Sequence, residues 1–187
     1  MKNTVVIVGA GLTGLIAAQK LAKLGIRTIV LEQDSDVGGR MATCRIGGGL
    51  ADYGCQFFTA RSPEFIALVE KWRNAGMVFV WSHGWSDGSL KRTLPDGYPR
   101  YAVRGGMQAL VQYLARDVDD IRTGFKIRRI SLRGDHWLLE PQEGEPVVAY
   151  HLLLTPPSPV ALQLLDAGGV TLRDEDRAIL ERIQYIP

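Results

Sequence analysis

Val5-Val6-Ile7-Val8-Gly9-Ala10-Gly11-Leu12-Thr13-Gly14-Leu15 is the stretch on which the fold turns. Its first four residues form a continuous apolar, β-branched run, the pattern of a strand buried on both faces of a parallel sheet. Gly9 to Gly14 then reads G-x-G-x-x-G. From Thr13 to Leu24 the residues Leu15, Ala18, Leu21 and Ala22 share one helical face, and Gly25 stops the helix. Thr28 to Leu31 reads as a second strand, ending on Glu32. The whole is a β-α-β unit of about thirty residues.

Each glycine of such a turn has its own task. Gly9 permits the tight bend, Gly11 removes the Cβ that would block a pyrophosphate, and Gly14 lets helix and strand pack closely. The helix N-terminus then offers unpaired N–H groups and the positive end of its dipole to a phosphate. The hexapeptide alone is a weak signal. Glu32 strengthens it, lying 18 residues after Gly14, where a carboxylate accepts hydrogen bonds from a ribose diol and repels a 2′-phosphate. The competing explanation is an incidental glycine turn beside a solvated glutamate. Lys2 and the apolar run Thr4 to Ala18 also imitate a secretion signal, but the run is shorter than the roughly twenty residues of a membrane span. The spaced glycines, with Gln19 and Lys20 continuing the helical pattern, fit a phosphate-binding turn instead.

Outward from this unit, the composition is that of an ordinary globular chain: 187 residues, 46% hydrophobic and 22% charged. The net charge of +2 comes from 22 basic and 20 acidic residues without a Lys/Arg run, so no nucleic-acid partner is expected. Cys44 and Cys55 form no CxxC, and His83, His136 and His151 have no metal-ligand spacing. We therefore expect no metal, reduced thiols, a cytoplasmic compartment and no membrane span.

Residues 33 to 61 are dense in glycine (Gly38, Gly39, Gly47, Gly48, Gly49, Gly54) and read as a loop-rich excursion around a ligand. Ser62-Pro63-Glu64 opens a helix to about Ala75. Residues 77 to 104 read as short antiparallel strands of a lid or substrate layer, and Gly105-Gly106 opens a helix to about Arg116. A hairpin follows, Lys126 to Leu132 and His136 to Pro141 around Gly134-Asp135. His151 to Thr155 is a buried strand stopped by Pro156-Pro157, and helices over about Pro159 to Leu165 and Asp174 to Ile183 finish the chain.

Gly38-Gly39-Arg40 bears on which dinucleotide is bound. An NAD site does not need a second glycine pair soon after the acidic residue. FAD is longer and bent outward, so a second close backbone approach and an arginine suit its pyrophosphate. The alternative is a surface turn with a solvated arginine.

Gly38-Gly39-Arg40-Met41 and Ala51-Asp52-Tyr53-Gly54-Cys55-Gln56-Phe57 resemble the flavin amine oxidase superfamily, above all its renalase-type branch. The resemblance continues through Tyr101 to Leu114, the hairpin Lys126 to Leu139 and Leu152-Leu153-Leu154-Thr155-Pro156-Pro157. It implies an α/β, Rossmann-type FAD/NAD(P)-binding fold with a partial antiparallel substrate-domain insertion. Residues 1–60 would hold the FAD-binding βαβ unit and flavin-contact loops, 61–104 part of the substrate or lid region, and 105–187 the return to the FAD-binding domain. That last part would end before the C-terminal segment that longer relatives possess.

The resemblance also implies roles. Gly9, Gly11, Leu12, Thr13 and Gly14 would form the pyrophosphate turn, with Glu32 on the adenosine ribose and Gln33 beside it. Gly39 and Arg40 would reach the phosphates, Gln56 and Phe57 would lie against the isoalloxazine, and the Ile127 backbone would meet the adenine. Cys55 stands where the family commonly has alanine, either as a redox or covalent neighbour of the flavin or, the preferred reading, as a small buried apolar residue. Trp72, Trp81 and Trp85 would line an aromatic substrate pocket or simply pack. The implied activity is FAD-dependent oxidation: hydride passes from a small reduced donor, dihydronicotinamide-type or amine, to flavin, and O₂ reoxidises it. No catalytic acid or base stands out. A dinucleotide-binding module without catalysis and an NAD-dependent dehydrogenase are the alternatives.

Overall fold

The apolar, β-branched segments around Val6 and Val30 pair into a sheet because their side chains leave water on doing so. In the computed structural model, which describes residues 4–86, 88 and 93–185, the elements begin with β1 (Thr4–Val8), α1 (Leu12–Lys23) and β2 (Arg27–Leu31). Next come β3 (Thr43–Ile46), β4 (Gly49–Asp52), α2 (Pro63–Asn74), β5 (Val78–Ser86), β6 (Thr93–Val103) and α3 (Met107–Ala115). The chain continues with β7 (Ile121–Arg122), β8 (Ile127–Arg133), β9 (His136–Pro141), β10 (Val147–Ala149), β11 (His151–Leu154), α4 (Ser158–Ala167) and α5 (Asp174–Glu181). Two units emerge, one of residues up to Gly39 and from Ala115 onward, the other Arg40–Leu114. Among the described residues no helix is long and apolar enough to cross a membrane.

The first unit is built on a four-stranded parallel sheet in the order β11-β1-β2-β7. Val6 stands between Leu152 and Ile29 in register, and Val6, Ile7, Val30 and Leu31 are at most 1% exposed. α1 covers this sheet with Leu15 and Ala18. A second, antiparallel sheet, β10-β9-β8, places Ile130 opposite Leu139. Val6, Val8, Leu31, Ile127, Ile130, Leu139, Ala149 and Leu165 form one apolar cluster, so both sheets and α4 share a core. Each valine, leucine and isoleucine among them contributes about 1.5–3 kcal/mol by leaving water. α4 ends against β8 so tightly that a Cβ on Gly168 would lie 1.8 Å from the Ile130 carbonyl oxygen.

The hairpin joining β8 and β9 is where the sequence places it, but β7 and β10 are additional. Glu140 on β9 is gripped by Arg129, whose guanidinium donates to both carboxylate oxygens, one at 2.7 Å; Arg128 reaches it at 3.5 Å. Arg129 holds the Glu140 carboxyl below its ordinary range, with Arg128 adding to the effect. Arg177 on α5 does the same to Asp166 on α4.

In the second unit, β3 and β4 form a hairpin where glycine density predicts only loop. The reason is that the glycines are concentrated at the bend: Ile46 pairs with Gly49 around Gly47-Gly48, and Gly47 adopts φ +57°. The Ser62 hydroxyl accepts the Phe65 N–H at 3.2 Å and caps α2. β5 and β6 are 9 and 11 residues long rather than short strands, and their pairing contains irregularities. Asp52 fixes the start of α3: its Oδ1 accepts from the Thr43 hydroxyl at 2.5 Å and from the Met107 N–H at 2.9 Å. Thr43 and Gln108 exchange a further pair of bonds, and a Cβ on Gly106 would strike Thr43 at 2.5 Å.

Two outcomes follow for stability. Gly168→Ala must push α4 off β8, and we expect a loss of about 2–3 kcal/mol in urea unfolding; an unchanged midpoint would contradict the close approach. Glu140 and Asp166 have folded-state pKa values below their unfolded ones, so their contribution is complete above the unfolded values and vanishes as pH falls through the depressed ones. Stability should therefore decline below about pH 4, less steeply in Glu140→Gln.

Candidate dinucleotide-binding turn

The bend between β1 and α1 lies at the carboxyl edge of the parallel sheet, where open α/β sheets receive their ligands. Three strand ends hold it. Gly9 N–H donates to Leu31 O at 2.8 Å, Thr155 N–H donates to Val8 O at 3.0 Å, and the Thr155 hydroxyl lies 2.8 Å from Val8 O. From the far side, Gly38 N–H donates to Ala10 O at 3.2 Å, and Gly38 bridges to Gly11 in parallel fashion.

The three glycines separate into three physical cases. Gly9 has φ +101°, and a Cβ there would also meet the Thr155 hydroxyl at 2.6 Å. Gly14 is bare because α1 lies on its own entry strand: a Cβ would sit 2.0 Å from Gly9 O. Gly11 is different. Its backbone is extended (φ −80°, ψ −178°), and the nearest atom to its would-be Cβ is Gly38 O, 3.9 Å away. Neither backbone conformation nor internal packing requires glycine there.

α1 begins without a side-chain cap and with no acidic residue in its first turn. Leu15 N–H is the first bonded back to Gly11 O, at 3.1 Å, so the N–H groups of Leu12, Thr13 and Gly14 precede that ladder. At the other end Lys20 and Lys23 complement the dipole. The helix is thus balanced at its C-terminus and presents positive potential at its N-terminus.

Glu32 is 5% exposed. Its Oε2 accepts the Ala10 N–H at 2.7 Å and its Oε1 accepts the Asp34 N–H at 3.0 Å. A carboxylate has about four lone-pair sites, and these two bonds use two of them. Gln33 follows, exposed. Gly39 approaches Gly11 closely, its would-be Cβ 4.0 Å from Gly11 Cα. Ile127 belongs to the apolar cluster of the first unit. The structure therefore gathers Gly9, Gly11, Leu12, Thr13, Gly14, Glu32 and Gly39 around one bend. Thr155, which the sequence places at the end of a strand without assigning it a role, joins them through the strand pairing of β11 with β1.

Arg40, Gln56 and Phe57 belong to the second unit. Cys55 N–H donates to Arg40 O at 2.8 Å, and a Cβ on Gly54 would lie 2.2 Å from that oxygen, which fixes the start of the Cys55-Gln56-Phe57 segment. Gln56 is exposed and Phe57 half-buried. The Cys55 thiol donates to Phe57 O at 2.9 Å. Burial raises its pKa above the ordinary value, and the Asp52 carboxylate pushes the same way. A thiol kept protonated is a poor nucleophile, so the geometry favours the small apolar role. Among the described residues no group of three or more His, Cys, Asp or Glu is arranged to hold a metal.

Residues 7–72 match the NAD(P)-binding Rossmann-like domain. A Mycobacterium tuberculosis protein whose name describes a flavin-containing monoamine oxidase, AofH, is 42% identical over 157 residues, covering 67% of this chain and 32% of its own length. Putrescine oxidase of Kocuria rosea is 37% identical over 71 residues, 38% of this chain and 15% of that protein. This chain thus spans a third or less of the length of these relatives. The solved structure of a putrescine oxidase A394C mutant superposes with a TM-score of 0.72 at 17% identity, over 95% of this chain and 62% of that one, a likeness of fold. The chain has an α/β fold with a Rossmann-like dinucleotide-binding domain, and its sequence relatives include proteins named as flavin-containing amine oxidases.

Proposed function

We propose that this chain binds FAD and serves a flavin-dependent oxidoreductase of amine-oxidase type, renalase-like in its choice of donor. The observation that carries the reading is Gly11: bare at a position where the protein has room for a side chain, beside the uncapped start of α1. A pyrophosphate needs that space and those N–H groups. In this reading Leu12, Thr13 and Gly14 donate to the phosphates, while Glu32 takes the adenosine ribose on its remaining lone pairs, with Gln33 alongside. Arg40 is assigned to the phosphates, Gln56 and Phe57 to the isoalloxazine, and the Ile127 backbone to the adenine.

FAD is preferred over NAD because a relative matched over 67% of this chain carries flavin in its name. When bound, the flavin would supply a two-electron acceptor for hydride from a donor C–H bond, with O₂ and a proton as the terminal acceptor giving H₂O₂. The donor class is a dihydronicotinamide-type ring, with an amine second. The cytoplasmic compartment expected from the cysteines belongs to the same proposal. An NAD-dependent dehydrogenase is an alternative reading, because the matched domain is described as NAD(P)-binding.

Colour separates the two. Protein purified with FAD should be yellow and absorb in the flavin bands; a colourless product that binds NAD would replace the proposal with the dehydrogenase. Gly11→Val should strip the flavin while changing stability by about 1 kcal/mol or less, because the side chain enters ligand space and not protein. Gly14→Ala, by contrast, should lose both flavin and stability. Flavin content unchanged in Gly11→Val would remove the phosphate from this turn. Under anaerobic mixing, dihydronicotinamide isomers should bleach the flavin, and bleaching by amines alone would reassign the donor.

A further inference from the structure

Three elements converge on the carbonyl oxygen of Gly9. α1 approaches it from one side, close enough that a Cβ on Gly14 would lie 2.0 Å away. From the other side comes the hydroxyl of Thr155, the residue after β11, which stands 3.2 Å from Gly9 O and 2.8 Å from Val8 O. A Cβ on Gly9 would strike that hydroxyl at 2.6 Å, and one on Gly14 would meet it at 3.2 Å. Both glycines therefore leave room for one hydroxyl group as well as for the helix.

Burial alone does not ask for threonine here. Leu152-Leu153-Leu154 precede it, it is half-buried, and valine has the same branching with no hydroxyl to satisfy. What valine cannot reproduce is the distance. An O–H donor reaches a carbonyl oxygen at 2.8 Å, whereas a methyl carbon needs about 3.3 Å or more. The single hydroxyl proton is shared between two carbonyl oxygens, while the Thr155 N–H holds Val8 O separately at 3.0 Å. Threonine thus lets the end of β11 close on the turn to a spacing that an apolar residue of the same shape forbids.

A displacement at Gly9 passes to α1, because close-packed atoms without free space between them move together. The groups that move with it are the N–H groups of Leu12, Thr13 and Gly14, whose direction toward a phosphate depends on where the helix starts. We propose that Thr155 is a positioning residue for the diphosphate of the dinucleotide: acting through the Gly9 carbonyl, its hydroxyl sets the aim of the leading N–H groups of α1. The inference rests on the dinucleotide reading of the turn and adds to it the residue that holds the turn's width.

Adenosine and ADP differ by the diphosphate alone, so the ratio of their affinities isolates what the start of α1 contributes. Calorimetric titration of the nucleotide-free full chain should find ADP bound more tightly than adenosine. Thr155→Val should weaken ADP by about ten-fold, the equivalent of one charge-assisted hydrogen bond, and adenosine by about two-fold or less. Thr155→Ser keeps the hydroxyl and should keep the wild-type ratio. Thr155→Ala removes the hydroxyl without adding bulk and should lose the ratio as the valine variant does, so the test stands even where the valine variant fails to fold. Gly168→Ala, destabilised through α4 and β8, should keep the ratio, which separates positioning from loss of stability. A ratio unchanged in Thr155→Val and Thr155→Ala, equal weakening of both ligands, or a ratio lost in Thr155→Ser or Gly168→Ala would each overturn the role of the hydroxyl and leave the dinucleotide reading standing. A wild-type chain that binds ADP no better than adenosine would remove the phosphate from the turn, and this proposal together with the reading beneath it.

Discussion

A Cβ on Gly14 would lie 2.0 Å from the carbonyl oxygen of Gly9, and the candidate site depends on that closeness. A helix seated directly on the end of its entry strand has its first N–H groups over the carboxyl edge of the sheet. β11 reinforces the arrangement from the other side, its following residue Thr155 hydrogen-bonded to Val8 and within 3.2 Å of Gly9 O. Any side chain at Gly9 or Gly14 would separate these elements, and the positive potential of α1 would then point at nothing in particular.

This part of the fold was legible because its constraints are local. Six residues contain the bend, the close approach and the start of the helix, and the β-branched run before them announces a strand buried on both sides. The hairpin of β8 and β9 was legible for the same reason, with Gly134-Asp135 between two apolar runs. Where constraints are distant, the sequence is silent. Thr155 stands 146 residues from Gly9, and Asp52 holds the N–H of Met107 across 55 residues, so neither contact has a signature in either neighbourhood. β7, with two residues, is too short to carry a pattern at all. The β3–β4 hairpin escaped for another reason: counted together, glycines suggest irregularity, but placed together at one bend they make regular pairing possible.

Glu32 illustrates how a residue can satisfy a sequence motif for two reasons at once. Its carboxylate is buried and bonded to the N–H groups of Ala10 and Asp34, so it already stabilises the turn without any ligand. Removing it would leave two backbone donors without those acceptors, and a damaged turn would bind a nucleotide poorly whatever role Glu32 has toward ribose. Its presence at the expected spacing is therefore evidence of fold as much as of chemistry.

Gly11 does not share that ambiguity. Gly9 is required by its backbone conformation and Gly14 by the strand beneath it, but at Gly11 the extended backbone tolerates any residue and the nearest protein atom leaves a methyl group its ordinary contact distance. Gly11 is also the N-cap of α1, where serine, threonine, asparagine or aspartate would stabilise the helix start better than a residue with no capping side chain. A ligand in the space beside Gly11 accounts for a glycine where a capping side chain would fit, in keeping with the proposed function. Next to three leading N–H groups and an uncompensated dipole, that occupant should carry negative charge, and the phosphates of a dinucleotide meet the requirement.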